Sequence, residues 1–130
     1  MRKLVLVGLG VVALGVAGRG ALAEEALKRT PLQKVEFPAD PWVTQTMLVE
    51  IAAGATAPRH THPGIEVTYV MEGEGDLLVQ GQPDRHLKAG DSFNVPAGVP
   101  HSARNTGNVP EKLLVTYVVD KTKPLATPAP

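Results

Sequence analysis

Four side chains of the kind that bind metal ions occur at two short spacings in the sequence. His60, His62 and Glu66 lie in one segment, and His101 lies in another. Imidazole and carboxylate groups are ligands for divalent transition metals, and a site needs several of them brought together. The spacing therefore predicts a metal site, provided that the fold brings the two segments into contact.

Strand geometry determines whether these side chains can converge. Residues i and i+2 of a β-strand point to the same face, so His60 and His62 would lie about 7 Å apart on one face. Glu66 has the same even spacing from His60 and His62, but the intervening Pro63-Gly64 predicts a bend or bulge. That Glu66 points to the same face as the two histidines is therefore only a working assumption. Two histidines on a strand are as often a surface pair as ligands. The metal prediction therefore depends on the residues around the four candidates.

The rest of the chain has the pattern of a β protein. Short runs rich in Val, Ile, Leu, Thr and Tyr are separated by Gly, Pro, Asp and Asn, which is typical of a sandwich or barrel. Residues 24–29 have the only helical pattern. Residues 121–130 are rich in proline and predict an extended tail, or a segment held along a partner subunit. Strands are predicted at residues 32–37, 44–51, 60–62, 66–71, 75–80, 85–88, 92–95, 101–105 and 112–119.

The N-terminus has the pattern of a secretory signal peptide. A positive start is followed by an apolar run over residues 4–17 and by the small-residue cleavage signal Ala21-Leu22-Ala23. The run is shorter than the roughly 20 residues that a membrane span needs. We expect cleavage after Ala23, a periplasmic or secreted protein, and no membrane span after cleavage. The expected organisation is a signal peptide at 1–23, one domain at 24–120 and a tail at 121–130.

Charge and cysteine content exclude several functions. Loss of Arg2, Lys3 and Arg19 with the signal peptide leaves 10 of the 13 basic residues against all 13 acidic residues, a formal charge of −3. The remaining basic residues are scattered, and few aromatic residues accompany them, so no nucleic-acid partner is expected. The chain has no cysteine. Thiolate metal sites, disulfides and cysteine nucleophiles are therefore excluded.

Glycines and prolines at fixed positions frame both candidate segments. Gly54 and Gly73 flank the first three ligands, and the second segment contains the positions Gly90, Pro96, Gly98, His101 and Asn105. Taken together, the two framed segments resemble the two motifs of the cupin family, without a departure from either. The resemblance covers residues 54–105, about half of the chain that remains after cleavage. Sixteen residues, 74–89, separate the motifs, which is close to the minimum for such proteins.

The resemblance implies a fold and a ligand set. The implied fold is all-β, a single-domain cupin jelly-roll β-barrel of two antiparallel sheets, usually a homodimer. The implied ligands of one divalent metal ion are His60, His62, Glu66 and His101. An octahedral ion would keep two positions open, as in a catalytic site. Iron, manganese, nickel, copper and zinc all remain open as the metal.

Alternation along the predicted strands places mainly apolar residues around this site. We find no further acidic residue or lysine that can be placed beside the metal, so Glu66 or a metal-bound water would carry out any acid–base step. Gln45 is the one plausible polar addition. The residues expected to line the pocket are Met47, Val49, Ile51, Thr68, Val70, Phe93, Val115 and Tyr117.

Three functions remain open at this stage. The nearest resemblance is to the quercetin-dioxygenase-like cupins, which implies a dioxygenase-like enzyme acting on a small chelating substrate. A non-oxidative metal-dependent isomerase or lyase would use the same ligands. A periplasmic module that binds a metal or a small ligand would show affinity without turnover.

The other notable residues have structural interpretations. Gly54, Gly73, Gly90 and Gly98 are expected at turns with positive φ, and Pro96 and Pro100 are expected to stiffen the loop before His101. Asn105 is expected to bind backbone groups of a turn. His86 is expected at the surface. Arg59 and Arg104 have the opposite parity to the neighbouring histidines and are expected to face away from the metal.

Overall fold

The described part of the protein, residues 25–130, is built from β-strands in this computed structural model. The predicted signal peptide and its cleavage site lie outside these residues. No helix occurs between residues 25 and 130, and so none that could cross a membrane. The strands are β1 Leu27–Val35, β2 Trp42–Ile51, β3 Thr56–Thr61, β4 Gly64–Glu72, β5 Glu74–Val79, β6 Arg85–Lys88, β7 Ser92–Val95, β8 His101–Asn105, β9 Glu111–Asp120 and β10 Thr127–Pro128.

These strands form two antiparallel sheets of five strands each. The first sheet has the order β1-β2-β9-β4-β7, and the second has the order β10-β3-β8-β5-β6. Most connections take the chain from one sheet to the other, so neighbours in sequence rarely pair. This arrangement is a jelly-roll barrel and confirms the predicted fold class.

Alternation of side chains along the central strands builds the core. On β9, Leu113, Val115 and Tyr117 are buried and alternate with partly exposed residues. On β4, Val70 is fully buried, whereas Tyr69 and the other outward side chains are about half exposed. Both faces of these strands are apolar, so the sequence does not alternate clearly between apolar and polar residues. The alternation is visible only in which side chains are buried.

A glycine marks the place where the chain crosses between the sheets near the predicted site. β3 ends in the second sheet at Thr61, and β4 begins in the first sheet at Gly64. A Cβ atom at Gly64 would lie only 2.0 Å from the carbonyl oxygen of Val118. Only glycine allows so close an approach of two backbones. The bend that Pro63-Gly64 predicted is this crossing, and it puts the histidines and Glu66 on different sheets.

The helical prediction for residues 24–29 is wrong over the described residues. Leu27 begins β1, whose residues pair with β2 from Leu27 opposite Ile51 to Val35 opposite Thr44. A helix of this length has too few hydrogen bonds to be stable alone, whereas pairing with β2 satisfies the backbone and buries one face. Strand β1 therefore starts five residues before the predicted strand at 32–37.

The C-terminal segment is attached to its own barrel. Thr127 and Pro128 pair with Thr61 and His60 of β3, which makes β10 an edge strand of the second sheet. The Ala129 amide donates a hydrogen bond to the Arg59 carbonyl oxygen, at 3.1 Å. Extended conformation was predicted for this segment, but pairing with β3 was not, because two residues are too few to give a strand pattern.

Candidate metal centre

The barrel brings all four predicted ligands together from three different elements. His60 lies in β3 and is paired with His101 of β8, and His62 directly follows β3. Glu66 lies on β4 in the facing sheet, where it pairs with Tyr117. His62, Glu66 and His101 are buried, with 3%, 6% and 3% of their surface exposed. The site therefore lies between the sheets and not on the surface of either.

Three imidazole rings face each other at short range. The Nε2 atoms of His60 and His62 lie 3.1 Å apart. The ligand atoms of His60, His62 and His101 all lie within 4.8 Å of one another, so these three residues could hold a metal ion. Glu66 Oε2 lies 2.9 Å from His62 Nε2 and 3.3 Å from His101 Nε2. The carboxylate is thus adjacent to the group of three histidines.

Backbone carbonyl groups fix the tautomer of each ring. His60 Nδ1 lies 2.6 Å from the Pro58 carbonyl oxygen, and His101 Nδ1 lies 3.0 Å from that of Val99. His62 Nδ1 lies 2.6 Å from the carbonyl oxygen of Leu125. A carbonyl oxygen can only accept, so each Nδ1 atom must donate, and each neutral ring keeps its Nε2 lone pair free. Hydrogen bonds of this kind orient histidine ligands around metals.

The charge states at the site suit a cation. Burial alone would raise the pKa of Glu66, but hydrogen bonds from a proton on the Nε2 atom of His101 or His62, and from the Thr68 hydroxyl, outweigh burial and hold that pKa well below its usual range. The Thr68 hydroxyl donates to Glu66 Oε1 at 2.8 Å. Burial lowers the pKa of His60 to about 4. Around neutral pH the site therefore combines a carboxylate with a neutral His60.

An unpartnered polar atom supports the fit of a metal ion. His101 Nε2 is buried and has no hydrogen-bond partner among residues 25–130. With every Nδ1 atom donating and no proton on Nε2, the Nε2 atoms of His60, His62 and His101 and the Glu66 carboxylate are all acceptors facing one another. Acceptors packed in this way repel unless a proton or a cation lies between them. The donor set is the one that divalent transition metals prefer.

The barrel interior beside the site contains a cavity of about 30 Å³ that His60, Glu66 and His101 help to line. Five of the eight residues expected to line the pocket also line this cavity, namely Val49, Ile51, Phe93, Val115 and Tyr117. Met47, Thr68 and Val70 lie in the buried core without lining it. The Thr68 hydroxyl is directed to Glu66 instead.

Tyr117 adds a hydroxyl group to a cavity that is otherwise largely apolar. Its ring lies 4.8 Å from the ring of His62, measured between centroids. Burial raises the pKa of Tyr117, and the negative charge of Glu66 raises it further. The side chain is therefore a neutral phenol that can donate a hydrogen bond. Gln45, the other polar residue considered, pairs with Tyr117 across the sheet but is not part of the cavity wall.

Sequence reasoning missed Arg29, which lines the same cavity. The residue lies on β1 opposite Val49, and cross-strand partners share a face, so Arg29 faces the barrel interior. A second cavity of about 180 Å³, here called the outer pocket, has Leu27, Arg29 and His60 in common with the inner one. Assigning residues 24–29 to a helix concealed the inward position of Arg29. The alternation of Leu27 with Arg29 was the available signal.

The other basic residues near the two motifs differ in their exposure and in their hydrogen-bond partners. His86 is exposed and lies 2.8 Å from Asp76 Oδ1, an interaction that raises its pKa. Arg104 is exposed on the outside of β8. Arg59 also lines the outer pocket, but its guanidinium donates to the Pro130 carbonyl oxygen at 2.6 Å and to Gln80 at 2.7 Å. The expectation that His86 is a surface residue is confirmed.

The loop that carries His101 is tied to the neighbouring histidine segment. Gly98 has φ of 71°, as predicted, and its amide donates to the His62 carbonyl oxygen at 3.0 Å. Gly54, Gly73 and Gly90 also have positive φ. Asn105 Nδ2 donates to the carbonyl oxygens of Ile51, at 2.9 Å, and Val109, at 2.7 Å. The framing residues therefore hold the backbone that positions the ligands.

The fold, the two framed segments and the site define a family. Residues 47–117, more than half of the chain, match the family described as "Cupin domain". The protein belongs to the cupin family.

Two kinds of curated relative show the range of activities in similar chains. Dimethylsulfoniopropionate lyase DddQ of Ruegeria pomeroyi is 37% identical over 81 residues, which cover 62% of this chain and 40% of that one. Oxalate oxidase 2 of Hordeum vulgare is 31% identical over 97 residues, 68% of this chain and 43% of that one. The chain thus spans less than half of the length of either relative.

Solved structures show the same architecture. The crystal structure of the lyase DddQ from Ruegeria pomeroyi superposes with a TM-score of 0.69 at 29% identity, covering 85% of this chain and 55% of the other. Recombinant oxalate oxidase in complex with glycolate gives a TM-score of 0.64 at 25% identity, covering 79% and 55%.

Proposed function

We propose that the protein is a metal-dependent enzyme in which His60, His62, Glu66 and His101 hold one divalent cation. The observation that carries the proposal is the shared orientation of the three rings, each with Nδ1 on a backbone carbonyl oxygen. The Nε2 atoms of His62 and His101 lie 2.9 and 3.3 Å from Glu66 Oε2, and that of His60 lies 3.1 Å from His62 Nε2. A site that already has its tautomers fixed requires little reorganisation to bind an ion.

The donor set restricts the metal and its role. Three imidazoles and one carboxylate suit iron, manganese, nickel, copper or zinc. Four protein ligands leave two positions of a six-coordinate ion for a small chelating substrate, and the ion would supply Lewis-acid or redox chemistry there. Tyr117 would offer a hydrogen bond to a bound ligand, and the apolar wall formed by residues such as Phe93 and Val115 would limit the entry of water.

Two reaction classes fit such a site. We propose first an oxygen-dependent, dioxygenase-like oxidation of a small chelating substrate, which the similarity to oxalate oxidase 2 supports. The second candidate is a lyase reaction, which the similarity to DddQ supports. Both need the same metal ligands and differ in their need for oxygen. A role of Glu66 as the acid–base group stays a prediction for either reaction. The low pKa of Glu66 favours the charged carboxylate, which can accept a proton, over the protonated form, which could donate one.

Metal binding is tested by elemental analysis after reconstitution with each of the five metals. We expect close to one ion per chain in the wild type and a large loss in His62→Ala. His86→Ala is the matched control, because His86 is exposed and lies outside the site. Equal and negligible metal in the wild type and in His62→Ala would overturn the proposal.

Oxygen uptake then separates the reaction classes. Each metal form is assayed in an oxygen electrode with oxalate, catechols and flavonols, and in parallel without oxygen with dimethylsulfoniopropionate, whose cleavage is followed by acrylate release. Turnover that needs oxygen supports the first class, and anaerobic turnover supports the second. Binding of these compounds without any turnover would leave a binding module and contradict the assignment as an enzyme.

The outer face of the first sheet is the surface on which we propose homodimer formation. Ile65, Val67, Tyr69 and Met71 of β4 are 40%, 48%, 48% and 45% exposed and form an apolar stripe. An apolar face of this kind is typical of subunit contacts. Light scattering should give twice the chain mass, and Tyr69→Asp should give a monomer. A wild-type monomer at high concentration would contradict this proposal.

Export is the remaining part of the proposed function. The proposal rests on the N-terminal pattern of residues 1–23 alone. Mass spectrometry of the protein recovered from the periplasm or medium should give an N-terminus at Glu24. Recovery of the full-length chain only from the cytoplasm would contradict it.

A further inference from the structure

Arg29 is an unusual residue for the interior of this barrel. Its position opposite Val49 on the paired strand β2 turns it inward, on the same face of β1 as Leu27. Its Nε atom is buried, and the side chain forms part of the wall of both the inner cavity and the outer pocket. A guanidinium group stays charged at any pH at which the protein is folded. The barrel therefore carries a permanent positive charge next to the candidate metal centre.

Nothing among the described residues neutralises this charge. The Nε atom of Arg29 has no hydrogen-bond partner among residues 25–130, and Arg29 takes part in none of the ion pairs of that part of the chain. The residue as a whole is partly exposed, so water solvates part of the guanidinium group, but a buried donor without a partner is costly and is satisfied when a ligand accepts from it. Arg59 differs in this respect, because it lines the same outer pocket but its Nε and Nη2 atoms donate to Pro130 and Gln80.

Arg29 also lies close to the candidate metal centre. Arg29 and His60 both line the inner cavity and the outer pocket. Tyr117 lines the inner cavity together with them. A ligand that contacts Arg29 in the shared wall of the two cavities would therefore lie beside His60.

We infer that Arg29 binds the carboxylate of the substrate, and that the substrate is a small carboxylic acid. The inference rests on the proposed function, since it adds a carboxylate subsite to the same metal centre. The planar guanidinium matches a carboxylate with two parallel hydrogen bonds. The outer pocket, at about 180 Å³, is smaller than the roughly 300–1,000 Å³ of typical ligand pockets, so the acid has few carbon atoms.

The test measures binding instead of turnover. The purified protein is titrated calorimetrically in its zinc-loaded and metal-free forms with three probes: propionate, propionamide and glycolate. Propionamide has nearly the shape of propionate without its charge. The variants are Arg29→Gln, Arg29→Lys and the matched control Arg104→Gln, which removes the same charge from an exposed position on β8. Zinc content and circular dichroism are recorded for every variant.

We expect propionate to bind the wild type and propionamide to bind at least about tenfold more weakly. Arg29→Gln should weaken propionate and glycolate binding at least about tenfold, with unchanged zinc content. Arg29→Lys should lie between Gln and the wild type, because it keeps the charge and loses the paired hydrogen bonds. Arg104→Gln should bind all probes like the wild type.

Three results would overturn the inference. They are equal affinity of Arg29→Gln and wild type for propionate, equal affinity of the wild type for propionate and propionamide, and no binding of propionate to either form of the wild type. A wild type that takes up none of the five metals would instead contradict the proposed metal site, and propionate titration of the metal-free protein would still decide the role of Arg29. If Arg29→Gln does not fold, Arg29→Lys decides by the same comparison.

Discussion

His62 and Leu125 are joined by a hydrogen bond of 2.6 Å, from Nδ1 to the carbonyl oxygen, across 63 positions of sequence. The pairing of Thr127–Pro128 with β3 holds the Leu125 backbone in place. The partners of the other two rings, Pro58 and Val99, are local, two residues before their histidines. The orientation of His62 therefore depends on the C-terminal segment, whereas that of His60 and His101 depends on their own loops.

Deletion of residues 124–130 should weaken zinc binding about 10- to 100-fold, the usual effect of losing a partner that orients a metal ligand. The deletion removes the Leu125 carbonyl and strand β10, so the His62 ring becomes free to rotate. Competition with a chromogenic chelator measures the affinity, and circular dichroism establishes that the shortened protein is folded.

Leu125→Ala is the control for this deletion. It removes a partly buried apolar side chain that packs against the core but retains the carbonyl group. Zinc affinity should stay within about threefold of the wild type, because the hydrogen bond to His62 is kept. Wild-type zinc affinity in the deletion variant would show that the C-terminal segment does not orient His62.

Asn105→Ala should lower the free energy of unfolding by roughly 2–4 kcal/mol. Asn105 is fully buried, and its amide donates to the Ile51 and Val109 carbonyl oxygens while its Oδ1 accepts from the Gly107 amide. Alanine leaves these backbone groups without partners. Urea denaturation measures the change, with the exposed Asn94→Ala expected within about 0.5 kcal/mol of the wild type. Similar small effects for both variants would contradict a structural role for Asn105.

The strands that sequence predicts best are those bounded by turn residues. β4 to β9 lie close to the predicted segments because glycines such as Gly73 and Gly90 mark their ends by positive φ. β1 and β10 could not be predicted in the same way. Each lies at the edge of a sheet and is held mainly by pairing with one neighbouring strand, β2 or β3. Such pairing with a distant segment cannot be recognised from the hydrophobic pattern of the strand itself.

The candidate site likewise contains residues that the sequence predicts and residues that it does not. The four ligands are visible because their spacing is fixed within two short segments. The carbonyl of Leu125 and the guanidinium of Arg29 come from strands that contact the site only through long-range pairing, and backbone carbonyls carry no side-chain signature at all. Parity placed Glu66 correctly on the inward face, although the chain changes sheets at Gly64 between it and the histidines.

Gly64→Ala should prevent stable folding or cost more than about 3 kcal/mol. The added Cβ would meet the backbone of Val118, which belongs to the central strand β9 and cannot move without breaking its pairing. Gly81→Ala is the control, because nothing lies within 4 Å of its Cβ position and only its φ of 81° opposes alanine, at about 1 kcal/mol. Thermal denaturation compares the two. Equal melting temperatures would contradict the close approach at Gly64.

A second buried carboxyl group, Glu111, lies away from the four candidate ligands, in a small cavity between Gly75 and Phe93. Only 3% of its surface is exposed, and Oε2 has no hydrogen-bond partner among residues 25–130. Burial and, to a smaller extent, the negative charge of Asp76 raise the pKa of Glu111 from 4.5 to about 7, although His86 acts in the opposite direction. The folded protein therefore holds this carboxyl protonated at pH values where the unfolded chain ionises it.

Glu111→Gln should remove a pH dependence of stability. Because the folded pKa is the higher one, the stability of the protonated form is fully present below about pH 4.5 and is lost as pH rises through about 7. The free energy of unfolding of Glu111→Gln minus that of the wild type should therefore increase between these values, by at most roughly 3 kcal/mol, and level off above them. Urea denaturation from pH 4 to 8.5 with a chelator present measures this difference. Glu72→Gln, which changes an exposed carboxylate paired with Lys112, should show no comparable increase. A difference between Glu111→Gln and wild type that stays constant with pH would mean that Glu111 ionises normally in the folded protein.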